Sequence, residues 1–274
     1  MITGLPKWIN WLSIDVAAGA ALLSVAIAKE AGQIPEPLPY VVLGLFVWLI
    51  YTFDHLFGPQ AVSFERHAFH QRYHGAFKLL FYALIPLCLG LALWYLDFYE
   101  WLTAGISLFI LGNYYLMYFL SRHFRMTFMS KELIIALGFT AGVLTLPLGQ
   151  KAELLSLDML PAGIVAFGLA CLNLLLISMY EKREPVPSDE QQAGGWLSGS
   201  WSGILFWLIE LMVFLLTLTG GWLGWFRPVF CGGILLFLAG AMMLFLFPNW
   251  FKKDEGYRRW TDLLFCVFLW PVWV

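Results

Sequence analysis

The chain has 274 residues, of which 61% are hydrophobic and 12% charged, with a formal net charge of −2. A water-soluble fold cannot bury so much apolar surface, so composition points to a polytopic helical membrane protein. The net charge points to no partner, and with no basic face or RNA-binding motif a nucleic-acid partner is not expected.

Crossing the hydrocarbon core takes about 20 apolar residues. The sequence predicts an all-α membrane helical bundle, a single domain over 1–274, with about nine transmembrane helices near 10–28, 39–57, 78–96, 101–120, 131–148, 160–179, 203–220, 228–247 and 260–274. The first carries Asp15 and no small-residue cleavage pattern, so it reads as a membrane helix and not as a signal peptide. Pro35-Glu36-Pro37, Gly149 and Gly220-Gly221 mark breaks. Two longer cytoplasmic connections are expected, a His- and Arg-rich lid over 59–77 and a loop over 181–200.

Nine spans place all of the 16 Lys and Arg on one side except Lys29, Lys151 and Arg227. The positive-inside rule then puts the N-terminus in the cytoplasm and the C-terminus on the far side of a plasma membrane, read as a bacterial inner membrane. Many of the 14 tryptophans fall near span ends, as an interfacial belt. Cys88, Cys171, Cys231 and Cys266 each sit alone in apolar runs, so neither disulfides nor a thiolate metal site is expected.

Polar groups inside a membrane are costly and tend to face the bundle interior. Tyr51, Asp54 and His55 lie late in the second span, Asn113, Tyr114, Tyr115 and Tyr118 late in the fourth, and Asn173, Ser178, Tyr180 and Glu181 late in the sixth. Asp15, Glu132 and Asp262 lie early in outward-running spans, and only Glu210 lies deeper. Together they predict a polar cavity in the cytoplasmic half, closed on the far side by apolar packing. Tyr51, Asp54 and His55 share one helical face, as do Asn173 and Glu181. Asp54 is therefore expected to confront Glu181 and Asn173, an oxygen-rich pairing suited to Mg²⁺.

All of the five histidines except His123 fall between Tyr51 and Lys78. On one helix His67, His70 and His74 would share a side, an alternative site for Zn²⁺ or Fe. The other reading of this stretch is an interfacial amphipathic segment, with Phe64, Phe69, Tyr73 and Phe77 dipping into the headgroups.

These features resemble the UbiA superfamily of intramembrane polyprenyl transferases. The resemblance rests on nine spans, an Asp-bearing motif closing span 2 before a basic loop, a polar motif (NLLLISMYEKRE) closing span 6, and a Tyr-rich span 4 leading through SRHFRMTFMSKEL into span 5. It implies Mg²⁺ bound by two Asp-rich motifs, a bound isoprenoid diphosphate, and transfer or cyclisation of the allylic group. Here Tyr51 and Gly58 stand where the first motif has aspartates, and the second motif has none. Carried over to this chain, the resemblance assigns Asp54, Glu181 and Asn173 to metal. Arg66, Arg72, Arg122, Arg125 and Lys131 would bind diphosphate, and Asp54, Tyr51, Asn113 and Tyr114 would form the reaction pocket. The alternative on the same fold is a non-catalytic protein that binds an isoprenoid, another lipid or a protein partner.

Overall fold

A computed structural model describes residues 7–57, 65–120, 128–149, 159–181, 200–251 and 256–273; at some helix ends, including Arg66, His67, Lys131 and Glu181, it describes the backbone alone. The described residues are helical almost throughout. In chain order they form α1 Lys7–Trp11, α2 Ile14–Glu30, α3 Pro37–Phe57, α4 Glu65–Arg72, α5 His74–Tyr95, α6 Phe98–Leu120 and α7 Phe128–Gly149. There follow α8 Leu160–Glu181, α9 Ser200–Trp222, α10 Pro228–Leu246, α11 Pro248–Phe251 and α12 Gly256–Leu263, then a 3₁₀ segment Leu264–Phe268 and α13 Leu269–Trp273. Among the described residues, six helices are long and apolar enough to cross a membrane: Pro37–Phe57, His74–Tyr95, Glu132–Gly149, Leu160–Tyr180, Trp201–Trp222 and Pro228–Leu246. The chain is thus an all-α bundle with the helices of an integral membrane protein.

The hub of the bundle is α2, which packs against α3, α7, α12, the 3₁₀ segment and α13. Small residues allow this crowding. A Cβ on Gly19 would lie 2.5 Å from Phe265 Cβ, and one on Gly44 would lie 3.3 Å from the Ala17 carbonyl oxygen. Behind the hub a continuous core joins Leu23, Ile27, Leu169, Leu172, Phe237 and Phe265. Tyr180 donates to the Leu244 carbonyl at 2.6 Å and stacks on Tyr257 at 4.7 Å, tying α8 to α10 and α12. The outer faces of α5, α6 and α9 stay apolar and uncovered, at Leu93, Trp94, Phe109, Leu208 and Trp222 among others. Such surface suits hydrocarbon and not water.

Two predicted spans are broken. The first is interrupted at Ser13, whose backbone is left-handed (φ 54), so α1 turns across the end of the bundle and Trp48 donates to the Leu12 carbonyl at 2.7 Å. The last is split by the 3₁₀ segment before α13. Pro271 lacks the N–H that an α-helix would donate to the Val267 carbonyl.

α5 packs along α3 and α6 along α7, and α6 and α7 form the most extensive helix pair in the bundle. Although only Leu96 and Asp97 separate them, α5 and α6 scarcely meet. The cleft between them is open to the outer surface.

Candidate functional site

A polar cavity of about 200 Å³ lies among the last turns of α3 and α8, the second half of α6, the start of α7 and α12. Tyr51, Asp54, Tyr114 and Asn173 all line it, as do His55, Tyr115, Glu132, Ser178, Arg258 and Asp262. The polar face of α3 reaches it because Tyr51, Asp54 and His55 follow helical spacing. Asp54 and Asn173, from separate helices, both line this one cavity.

Hydrogen bonds order part of the lining. The Tyr115 hydroxyl donates to Asp54 Oδ1 at 3.0 Å, and its ring is held edge-on to Phe53 at 5.3 Å. On the opposite wall Asn10 Nδ2 donates to Asp15 Oδ2 at 2.7 Å and to Asp262 Oδ2 at 2.9 Å. All three residues are buried, so α1, α2 and α12 are joined at the cavity edge. Asn173 Oδ1 and Ser178 Oγ are buried without a hydrogen-bond partner among the described residues. Leaving such a group unpaired costs about 1–3 kcal/mol, a cost that a bound polar headgroup would offset.

Beneath the polar cavity lies an apolar slot of about 130 Å³ between α3, α5, α6 and α7. Ile50, Tyr51, Leu111 and Ile135 line both spaces, so the polar cavity and the slot adjoin. Two of the hydroxyls in the slot are turned onto backbone: Ser107 donates to the Gly138 carbonyl at 2.8 Å and Thr145 to that of Ala141 at 3.1 Å. The expectation of closed apolar packing on that side is therefore corrected to an apolar space, held open by the separation of α5 from α6.

Other predicted residues lie elsewhere. Asn113 is exposed and its amide donates to the Phe109 carbonyl at 2.7 Å, so it does not line the cavity. Arg72 is exposed, with its guanidinium 5.8 Å from the Tyr73 ring centre. Arg122 and Arg125 lie outside the described residues, as do the side chains of Arg66, Lys131, His67 and Glu181. His70 is buried with Nε2 2.7 Å from the Trp11 carbonyl oxygen, and it stacks on His55 at 4.5 Å. His74 is exposed beyond the break at Tyr73. Phe69 and Phe77 pack against His70, not outward. Thus α4, within the expected lid, docks on α1 and α3 beside the cavity. Glu210 is buried in α9 and lines neither space.

Among the described residues no three His, Cys, Asp or Glu side chains come together as a metal site. Of the residues assigned to Mg²⁺, Asp54 and Asn173 line the cavity, while His70, buried, and His74, exposed, do not form a shared ligand face. Sequence reasoning placed Asp262 in the cavity but missed Arg258; its signal was the i, i+4 spacing to Asp262 on the terminal segment.

Comparison of the chain with protein families, curated proteins and solved structures finds no match.

Proposed function

We propose that this chain is a UbiA-like integral membrane protein of nine crossings, with its N-terminus in the cytoplasm, that binds an isoprenoid amphiphile within the bundle. The observation that carries the proposal is that a polar and an apolar space adjoin at Ile50, Tyr51, Leu111 and Ile135. A ligand filling both needs a polar head joined to an apolar tail. The head would meet Asn173, Ser178, Tyr51 and Tyr114, with Asp54 held by Tyr115. Asp54, Glu132 and Asp262 outnumber Arg258 in the lining. That charge suits a hydroxyl-bearing or otherwise donor-rich head better than a bare diphosphate.

A second reading is transfer or cyclisation of an isoprenoid diphosphate. The presence of Asp54 of α3 and Asn173 of α8 in one cavity lining favours it. The bases would come from Arg66, Arg122, Arg125 and Lys131.

One experiment separates the two. Purified protein is given prenyl diphosphates with and without Mg²⁺, followed for diphosphate release, and assayed in parallel for binding of prenyl alcohols. Binding without release supports the main proposal. Release that disappears in Asp54→Asn, with folding intact, supports the transferase reading. Folded protein that neither binds nor turns over any isoprenoid refutes both.

A further inference from the structure

We infer that the polar cavity is built for a cationic head, a primary ammonium, so that the preferred ligand is an isoprenoid amine. The inference rests on the isoprenoid-binding proposal for the tail and adds the chemical class of the head.

The first argument is charge. Among the described residues Asp54, Glu132 and Asp262 line the cavity against Arg258, three formal negative charges to one positive. Arg258 is itself turned to Tyr257: its Nε lies 3.4 Å from the Tyr257 hydroxyl and its guanidinium carbon 6.0 Å from that ring's centre. His55, which also lines the cavity, stacks on His70 at 4.5 Å, so a charge on one ring resists a charge on the other. Carboxylates withdrawn from water need an opposite charge close by, and a cationic head supplies it.

Hydrogen bonding points the same way. Asn173 is 7% and Ser178 3% exposed, and both line the cavity with Asn173 Oδ1 and Ser178 Oγ lacking a hydrogen-bond partner among the described residues. Asn173 Oδ1 only accepts, so an ionised phosphate or carboxylate, itself an acceptor, leaves it unmet. An alcohol brings one donor. An ammonium brings three, in number enough for Asn173 Oδ1, Ser178 Oγ and one carboxylate, and its bonds are charge-assisted. A bare metal ion fits less well, because among the described residues no three His, Cys, Asp or Glu side chains gather at one point. The three carboxylates stand on α3, α7 and α12, separate walls that suit a head bonding in several directions.

The test compares farnesol, farnesylamine, farnesyltrimethylammonium and farnesyl phosphate, which share one tail, with butylamine, which has none of it. Each is titrated against the full chain in phosphatidylcholine nanodiscs, with binding to empty nanodiscs subtracted. Farnesylamine should bind about tenfold or more tighter than farnesol, and farnesyl phosphate should bind most weakly. Trimethylation keeps the charge and removes every donor, so it should forfeit most of that gain. Asp54→Asn and Glu132→Gln should each cut the amine-to-alcohol ratio several-fold. Asn173→Asp, which adds a carboxylate, should raise it, so a single misfolded variant does not decide the result. An amine no better than the alcohol, the phosphate or the trimethylated head, or a preference that none of the three substitutions moves, overturns this inference and leaves isoprenoid binding standing. Butylamine binding as tightly as farnesylamine supports the ammonium site and overturns the isoprenoid tail. No saturable binding of any of them by folded protein overturns both.

Discussion

Asn10 offers the sharpest test of how the cavity is held. It is 4% exposed, and its single amide nitrogen serves two buried carboxylates, Asp15 and Asp262. Asn10→Leu keeps the volume and deletes both bonds. A hydrogen bond to a charged group contributes about 1.5–3 kcal/mol, so the pair is worth about 3–6 kcal/mol. At about 2–4 °C per kcal/mol, Tm should fall by on the order of 10 °C. Thermal unfolding in detergent, read by a thiol-reactive dye at the buried Cys88 and Cys171, measures this directly. Trp8→Leu is the control, since Trp8 sits on the same short helix and is 51% exposed. Because Asp262 also lines the cavity, Asn10→Leu should weaken isoprenoid binding as well. An unchanged Tm and unchanged binding would refute the account of this cluster.

Three further outcomes follow from the packing and the site. Gly19→Ala forces a methyl against Phe265 Cβ, which is not the free end of a flexible side chain, so it should cost about 1–3 kcal/mol in a thermal scan. Asn173→Leu removes an unpaired buried carbonyl; the ligand-free protein should gain about 1–3 kcal/mol while the stabilisation produced by added isoprenoid shrinks. Tyr115→Phe removes the donor to the exposed Asp54 and should weaken headgroup binding about fivefold, for about 1 kcal/mol, in a titration with prenyl alcohol.

Much of the architecture was legible in the sequence because bilayer-length apolar runs determine it. Among the described residues, helices long and apolar enough to cross a membrane occupy six of the nine predicted segments, and polar residues of α3 and α8 line one cavity. Where the reading failed, local spacing met a tertiary constraint. Adjacent helical residues point about 100° apart, so Asn113, Tyr114 and Tyr115 cannot all face inward; the two tyrosines line the cavity and Asn113 points away. The spacing of His67, His70 and His74 assumed one helix, but the chain breaks at Tyr73 between α4 and α5. Asp262 was legible as an intramembrane carboxylate, whereas its partner Asn10 became visible only after the turn at Ser13 brought α1 across α12. The slot had no sequence signal at all, since it exists because two helices adjacent in the chain pack on different neighbours.

The central claim is that an isoprenoid lies with its tail between α3, α5, α6 and α7 and its head at the polar cavity. A prenyl alcohol carrying a photoreactive diazirine near the tail end tests it most directly, with the labelled peptides mapped by mass spectrometry. Labelling should fall on the stretches around Pro39–Phe46, Leu89–Leu96 and Trp101–Leu108, and unlabelled geranylgeraniol should suppress it. Labelling confined to the exposed outer face of α9, or labelling that competitor does not reduce, would contradict the claim.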